Sequence, residues 1–296
     1  MQTAVDCIPC YLKQVISTMR VAGLEEADQR RILTALFDTI AALDPAKTPA
    51  ENSSVVLFEA YRLMGSDDPY SEAKAASNRL ARTYLSSLEK IISYSEDPLL
   101  TAIKVSVAGN VIDMGINPDF DVNASIQQEL EREFKLCDLD AFRELLNSQS
   151  PVVIIGDNSG EIVFDYLLLA CLRDFNDKIF YVVKEGPVLN DATRDDADEA
   201  GIHLLAEVVT TGSNYLGVIP ELCSEEFRDL MGRAGLVLAK GQANYETLEG
   251  TAFAGERTFF LLRAKCPVVA GHLGVPLGSS VLLRNQPDSP AASEKK

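Results

Sequence analysis

The stretch PVVIIGDNSGE, residues 151–161, decides the fold class. Four consecutive β-branched residues stand between Pro151 and Gly156, which is typical of a short strand buried on both faces of a parallel sheet. The polar turn that follows leads into an apolar segment of helical length, residues 162–173. A strand that runs through a short turn into a helix predicts a βαβ unit.

Similar apolar runs recur downstream and alternate with segments of helical length. We interpret four of these runs as further strands, at 179–183, 204–210, 236–239 and 266–270. The helical segments are 162–173, 191–200, 225–234 and 247–263. This alternation predicts an open, mainly parallel α/β sheet.

The chain before residue 145 has a different periodicity. Apolar residues recur there at three- and four-residue spacing, as in residues 25–43, residues 80–92 and the set Leu99, Ile103 and Val107. We therefore predict three parts, which are a helical N-terminal region over 1–145, an α/β domain over 146–284 and a flexible polar tail over 285–296.

The net charge excludes some classes of partner. The chain has 27 Lys and Arg against 44 Asp and Glu, giving a charge of −17, which repels nucleic acid and anionic membranes. The longest uncharged stretch, 266–283, is broken by proline and glycine and does not predict a membrane span. With no secretory pattern at its start and only six cysteines, the sequence predicts a cytoplasmic protein.

Polar clusters follow three of the apolar runs. They are GDNSGE at 156–161, KEGPVLNDAT at 184–193 and KGQANYE at 240–246. Ligands of open α/β sheets bind at the carboxyl ends of the strands, so we expect these clusters to share one crevice. Oxygen ligands with no histidine or cysteine nearby favour Mg²⁺ or Mn²⁺. The alternative is that these Asp and Asn residues are simple helix N-caps.

Other signals are weaker. The sequence has no dinucleotide-binding, P-loop or nucleophile-elbow motif. We interpret His203 as a core residue, whereas His272 follows an apolar run and could line the crevice. Cys7 and Cys10 have the spacing of a metal or redox pair, but a buried thiol pair at a helix start is the favoured interpretation.

Five strings in order resemble the damage-control phosphatase family. They are DPYSEAKAASN (68–78), AGNVID (108–113), GDNSGEIVFD (156–165), GPVLNDATRDDA (186–197) and AKGQANYETL (239–248). The likeness covers about residues 5–283 and is greatest to the microbial branch with a CxxC motif near the N-terminus. It implies a helical N-terminal region packed on a three-layer α/β/α domain. It also implies metal-dependent hydrolysis of phosphate esters on small metabolites, such as sugar phosphates or phosphorylated cofactor intermediates.

The resemblance also assigns site residues. The family's metal ligands match Asp157, Asn158 and Asp191, which would hold Mg²⁺, Mn²⁺, Co²⁺ or Ni²⁺, and the two aspartates are the candidate catalytic residues. Its phosphate and substrate contacts match Lys240, Gly241, Gln242, Asn244 and Tyr245. Lys265 matches only the lysine of an Arg-Thr-x-Lys motif found in some relatives. The missing Arg and Thr weaken the case for those relatives' sugar-phosphate preference.

Two alternatives belong to other functional classes. The crevice could bind S-adenosylmethionine in a transferase, although no glycine-rich nucleotide loop is present. It could also belong to a metal- or metabolite-binding module without catalysis. For the phosphatase, the expected partner is a small phosphorylated metabolite, with no nucleic acid and no membrane.

Overall fold

The computed structural model describes residues 1–111, 122–148 and 150–287. Eight helices precede the first strand in this part of the chain. They are α1 (Cys7–Val21), α2 (Glu26–Ala35), α3 (Phe37–Ala41), α4 (Pro49–Met64), α5 (Ser71–Arg82), α6 (Leu85–Ser93), α7 (Pro98–Val111) and α8 (Val122–Glu131). Residues 112 and 113 of the AGNVID string and residues 288–296 of the expected tail lie outside the described residues.

Strands and helices alternate in the rest of the chain. The strands are β1 (Leu136–Cys137), β2 (Val152–Ile155), β3 (Ile179–Val183), β4 (Glu207–Thr210), β5 (Leu236–Lys240), β6 (Thr258–Arg263) and β7 (Ser280–Arg284). The helices between them are α9 (Leu139–Leu146), α10 (Glu161–Arg173), α11 (Arg194–Ala200), α12 (Glu225–Arg233), α13 (Gln242–Leu248) and α14 (Pro267–Leu273).

The seven strands form one sheet in the order β1-β7-β6-β5-β2-β3-β4. Neighbouring strands run parallel except β6 and β7, which are antiparallel. The strand that begins the opening motif, β2, lies between β3 and β5 and is buried along its whole length. The predicted α/β class with a mainly parallel sheet is confirmed.

Both faces of the sheet are covered, because alternate residues of a strand point to opposite sides. Val152 and Ile154 join a core that includes Phe164 of α10, whereas Val153 and Ile155 join a core that includes Phe227 of α12. A third cluster packs α1, α2 and α4 around Leu57 and against residues of the loops after β3 and β4. The N-terminal helices therefore lie beside the loops where ligands are expected.

Two predicted elements near the C-terminus are wrong. Residues 247–263 do not form one helix, because α13 ends at Leu248, glycines with positive φ follow at 250 and 255, and Thr258–Arg263 is a strand of the sheet. Residues 266–270 do not form a strand, because Pro267 begins α14, which ends before Gly274 in the left-handed conformation. Proline in the first helical turn and glycine after the last are ordinary helix boundaries.

Two smaller expectations also differ from the structure. The helix expected over 25–43 is divided at Leu36 into α2 and α3. The strand expected over 204–210 begins only at Glu207, because residues 202–204 form a 3-10 turn. His203 lies in that turn with 53% of its side chain exposed, so its interpretation as a core residue is wrong.

The length and polarity of the helices decide whether any of them could span a membrane. Within the described ranges, every helix is too short or too polar to cross a bilayer.

Helices α7 and α10 approach so closely that we expect Gly109→Ala to destabilise the protein. A Cβ atom on Gly109 would lie 2.9 Å from the Cα atom of Glu161, a backbone atom that cannot rotate away. We expect a loss of about 1–3 kcal/mol in the free energy of unfolding, measured in urea. The control is Gly232→Ala in α12, where nothing lies within 4 Å, and which should stabilise the helix by about 0.5 kcal/mol. Equal effects of the two substitutions would contradict this packing.

Candidate functional site

A cavity of about 220 Å³ lies at the carboxyl ends of the central strands. Three loops that follow β2, β3 and β5 contribute Asp157, Asn158, Asp191 and Gln242 to its lining, and Lys265 precedes α14 at its edge. Helices α1 and α4 form the opposite wall, with side chains that include Cys7, Cys10, Tyr11 and Ser53. The crevice therefore lies between the N-terminal helices and the sheet.

Backbone pairing brings the first two loops together. Asn158 and Asp191 form an isolated antiparallel bridge. The Ala192 N–H donates to the Asp157 carbonyl at 2.8 Å, and the Ser159 N–H donates to the Asn190 carbonyl at 2.8 Å. Two segments that are more than thirty residues apart in sequence thus lie side by side, as the strand-end argument predicts.

The turn before Asp191 has a strained residue. Leu189 has a φ of +46°, which is rare for a bulky side chain. Its N–H donates to the hydroxyl oxygen of Tyr61 from α4 at 2.8 Å. Such strained positions cluster at functional sites and persist where the surrounding structure holds them. Here α4 provides part of that support.

The carboxylate of Asp191 is buried, with 4% of the residue exposed. Burial raises its pKa to about 6, although the ammonium groups of Lys184 and Lys74 act in the opposite direction. The Lys184 Nζ lies 3.6 Å from Asp191 Oδ2 and also donates to the Gly217 carbonyl. Asp191 therefore lies at the crevice with the ammonium group of Lys184 behind it.

The carboxylate of Asp157 lies directly against the backbone of Gly241. Gly241 has a φ of +81°, and a Cβ atom there would lie 2.0 Å from Asp157 Oδ2. Only glycine allows this approach. Asp157 Oδ2 also accepts a hydrogen bond from the Asn158 side-chain amide at 3.0 Å.

Lys240 lies behind the crevice wall. It is 1% exposed, and its ammonium contacts the Glu161 carboxylate and lies 2.5 Å from Asp165 Oδ1. The hydroxyls of Tyr181 and Ser106 each donate to Asp165 at 2.6 Å. Burial raises the pKa of Glu161 to about 8, against the attraction of Lys240. Lys240 is not among the described residues that line the crevice.

The remaining predicted substrate contacts are divided between the lining and the wall behind it. Gln242 lines the crevice, donates from Nε2 to Glu246 at 2.8 Å, and has a buried Oε1 without a hydrogen-bond partner in the described residues. Asn244 is buried and donates to the Lys240 carbonyl at 2.6 Å. The Tyr245 hydroxyl lies 2.8 Å from His272 Nδ1. Neither Tyr245 nor His272 is among the described lining residues.

Three of the six cysteines line the crevice, namely Cys7, Cys10 and Cys266. Helix α1 begins at Cys7, which is buried, whereas Cys10 is exposed, so the expected buried pair holds for one thiol only. Burial raises the pKa of the Cys7 thiol. The surrounding protein also desolvates the Cys10 thiol in part, although that residue is exposed, and this raises its pKa. These thiols are therefore protonated at neutral pH.

Sequence reasoning missed several polar side chains that support the site. Glu161, Asp165 and Lys184 are buried next to it, and α5 contributes Lys74 and Asn78. Glu161 and Lys184 belong to the polar clusters after β2 and β3, but nothing in those clusters marks them as buried. Lys74 and Asn78 stand four residues apart in the alanine-rich helix SEAKAASNRLAR, a spacing that places them on one face.

The donor set fits a hard cation that is only partly enclosed by protein. Two carboxylates and the Asn158 amide oxygen are oxygen ligands, which Mg²⁺ and Mn²⁺ prefer. Among the described residues, no group of three or more Asp, Glu, His or Cys side chains is arranged to enclose a metal ion. Mg²⁺ is commonly held by one or two carboxylates together with water and substrate phosphate, so the residues present fit this group.

The contact between Gly241 and Asp157 predicts a large effect of Gly241→Ala. The added methyl group would collide with the carboxylate and would also occupy a backbone region that alanine disfavours, so we expect a loss of at least about 3 kcal/mol. Gly250→Ala is the control, because Gly250 also has a positive φ but has nothing within 4 Å, and should cost about 1–2 kcal/mol. Urea unfolding measures both variants. Similar losses would show that the carboxylate is not in contact with residue 241.

The chain is similar to known proteins over most of its length. The chain is 33% identical to Damage-control phosphatase PH1575 of Pyrococcus horikoshii, over 97% of this chain and 99% of that protein. It is 37% identical to a protein of Archaeoglobus fulgidus named Damage-control phosphatase, over 75% and 77% of the two chains. The crystal structure of a DUF89 family protein, PH1575, from P. horikoshii superposes with a TM-score of 0.87, at 32% identity, covering 97% of this chain and 100% of that one.

The family model for the damage-control phosphatase ARMT1-like domain matches residues 3–281. Because the match covers nearly the whole chain, the protein belongs to the damage-control phosphatase ARMT1-like domain family.

Proposed function

We propose that this protein is a phosphatase that uses a divalent cation to hydrolyse phosphate monoesters of small metabolites. The observation that carries the proposal is the pairing of two loops that brings Asp157, Asn158 and Asp191 to one crevice. Relatives that carry the name damage-control phosphatase share most of the chain's length and support the reaction class.

Asp157, Asn158 and Asp191 would hold the cation. When bound, such a cation polarises the phosphoryl group, lowers the pKa of bound water and orients the ester. The protein's own part is to hold two carboxylates at the crevice, and Lys184 opposes the rise in the pKa of Asp191 that burial causes. Phosphoryl transfer depends mainly on positioning and charge stabilisation, so a site without histidine among its ligands is chemically adequate.

Lys265 and Gln242 are the best-placed contacts for the substrate phosphate. Both line the crevice, and Lys265 is exposed there. Lys240, which the family likeness assigned to phosphate, forms ion pairs with Glu161 and Asp165 behind the wall. We assign Lys240 to holding Gly241, the next residue, against Asp157.

The lining also bears on the class of substrate. Besides the candidate ligands, it contains neutral polar side chains such as Gln14, Ser53 and Asn190, together with the acidic Asp6 and Glu246. A cavity of about 220 Å³ with this lining favours a small, hydroxyl-bearing organic group with a single phosphate. Sugar phosphates and phosphorylated cofactor intermediates have this chemistry, whereas a polyphosphate would be repelled by the surplus carboxylates.

Two nucleophiles are compatible with this arrangement, a water molecule and one of the two aspartates. Direct attack by water inverts the configuration at a chiral phosphorus, whereas attack by a carboxylate followed by hydrolysis retains it. The stereochemical outcome of the reaction therefore distinguishes the two routes.

Two further inferences rest on sequence alone. The low cysteine content supports a cytoplasmic location, and Cys7 and Cys10 support membership of the microbial branch with an N-terminal CxxC motif. Oxygen ligands favour Mg²⁺ or Mn²⁺ as the divalent ion, and the family resemblance adds Co²⁺ and Ni²⁺ as candidates.

Removing either aspartate should abolish the activity. We expect Asp157→Asn and Asp191→Asn to lower phosphate release by at least about 100-fold, since even partners of metal ligands contribute 10- to 100-fold. The assay is release of phosphate from p-nitrophenyl phosphate and a panel of sugar phosphates, with Mn²⁺ and then with excess EDTA. Asp198→Asn, an exposed carboxylate on α11, is the matched control and should keep full activity.

Near-normal turnover by Asp157→Asn, or full activity in EDTA, would show that the cation assignment is wrong. Absence of phosphate release from the whole panel would favour the other candidate classes. Calorimetric titration with S-adenosylmethionine would then separate a transferase from a binding module.

Lys265→Ala should weaken substrate binding more than it slows turnover. A charge-assisted contact to phosphate predicts a rise in KM of about tenfold, with a smaller change in kcat. Lys90→Ala is the control, because Lys90 is exposed on α6 and does not line the crevice. An unchanged KM for Lys265→Ala would remove this residue from the site.

A further inference from the structure

Two polar side chains of the N-terminal helix α5 are buried beside the crevice. Lys74 and Asn78 stand one helical turn apart, and only 5% and 0% of these residues are exposed. A buried lysine and a buried asparagine are expected to have specific polar partners, because an unpaired buried polar group costs several kcal/mol. Both have them. The partners are Gly160 in the loop after β2, and Thr193 and Asp196 at the start of α11, directly after the loop that follows β3.

Asn78 binds the loop after β2. Its Oδ1 accepts a hydrogen bond from the Gly160 N–H at 2.7 Å. Gly160 is the N-cap of α10, and having no side chain it cannot satisfy the amides at the start of that helix. Asn78 supplies the acceptor from another part of the chain. A Cβ atom on Gly160 would lie 3.2 Å from the Cβ of Ser77, so α5 packs tightly on this loop.

Asp196 joins the same side chain to the loop after β3. The Asn78 Nδ2 donates to Asp196 Oδ1 at 2.9 Å, and Lys74 Nζ lies 2.9 Å from Asp196 Oδ2. Asp196 also accepts from the Ser159 hydroxyl at 3.0 Å and from the Thr193 N–H and hydroxyl, both at 2.8 Å. One carboxylate thus receives hydrogen bonds from both loops and from α5.

The positions of these contacts along the chain are informative. Ser159 directly follows Asn158, and Thr193 comes two residues after Asp191. The backbone bridge between Asn158 and Asp191 sets the separation of the loops on the crevice side. Asp196 connects the same two segments a second time, by accepting hydrogen bonds from Ser159 and Thr193. Loops tied together at two places cannot slide or rotate independently.

We propose that Asn78 and Lys74 are positioning residues that, through Asp196, hold the two loops at the separation needed to bind a metal ion. This role rests on the proposed function, because it concerns Asp157, Asn158 and Asp191 as metal ligands. Sites of this kind require their ligands to be held to within about 0.5 Å. A buried ionic network adds little net stability, because desolvation of the charges offsets their attraction. Its contacts nevertheless favour one arrangement of the segments that they join. In this proposal the N-terminal helical region supports the metal site without supplying a ligand to it.

The experiment compares two buried asparagines of the N-terminal helices. Asn78→Ala removes the bonds to Gly160 and Asp196. Asn52→Ala is the matched control, because Asn52 on α4 is 1% exposed and donates to Thr3 Oγ1 and to the Asp44 carbonyl, away from the loops. A third variant, Asn78→Asp, keeps the shape and the acceptor but places a carboxylate against Asp196 and Glu199.

Three quantities are measured for each variant without substrate: the dissociation constant for Mn²⁺ by calorimetry, the hydrogen exchange rate of the Gly160 amide in metal-free protein, and the urea unfolding midpoint. We expect Asn78→Ala and Asn78→Asp to weaken Mn²⁺ binding by about 10- to 100-fold. Asn78→Ala, which removes the acceptor, should also accelerate exchange at Gly160. Asn52→Ala should lower the unfolding midpoint by a similar amount while leaving Mn²⁺ affinity and Gly160 exchange unchanged.

The outcomes separate this proposal from the proposed function. Wild-type Mn²⁺ binding together with unchanged affinity in both Asn78 variants would overturn the positioning role alone. Equal loss of affinity in Asn52→Ala would do the same, because the effect would then reflect general stability. Failure of the wild-type protein to bind Mn²⁺, Mg²⁺, Co²⁺ or Ni²⁺ would overturn the proposed function and the positioning role together.

Discussion

The short backbone bridge between the loops after β2 and β3 is the contact on which the candidate site depends. It joins Asn158 to Asp191 and is extended by the hydrogen bonds of Ser159 and Ala192. Parallel strands end at the same edge of a sheet, but their loops need not touch. Backbone pairing turns that general proximity into a fixed separation between carboxylates from different loops. The other supports of the site act on these same two segments.

Charge burial is the second constraint. Lys240, Glu161 and Asp165 lie together behind the crevice, and Lys184 lies behind Asp191. Removing charges from water is expensive, and the attraction between partners only offsets this when the geometry is good. Each buried lysine here faces at least one carboxylate. These lysines lower the net negative charge directly behind the crevice, where an anionic substrate is proposed to bind.

Much of the fold was predictable from sequence because β2, β3 and β5 are continuous apolar runs with turn residues at both ends. The misread segments contain the short apolar runs 259–262 and 266–270, and in such short runs periodicity does not separate a strand from a helix. The convergence of Asp157, Asn158 and Asp191 followed from strand topology. The burial of Lys240 and the contacts of Asn78 did not, because they depend on which helix packs against which loop, and no local pattern encodes that.

The crevice has one wall from α1 and α4 and another from the loops of the sheet. Proteins open locally, and elements at the edge of a structure open at lower free energy than a central sheet does. A transient detachment of the N-terminal helices would dismantle one side of the crevice and release the support of Tyr61 for Leu189, while the central strands stayed paired. Catalytic competence and global folding would then be separate equilibria in this protein, and a substitution far from the ligands could reduce the competent fraction without unfolding the sheet.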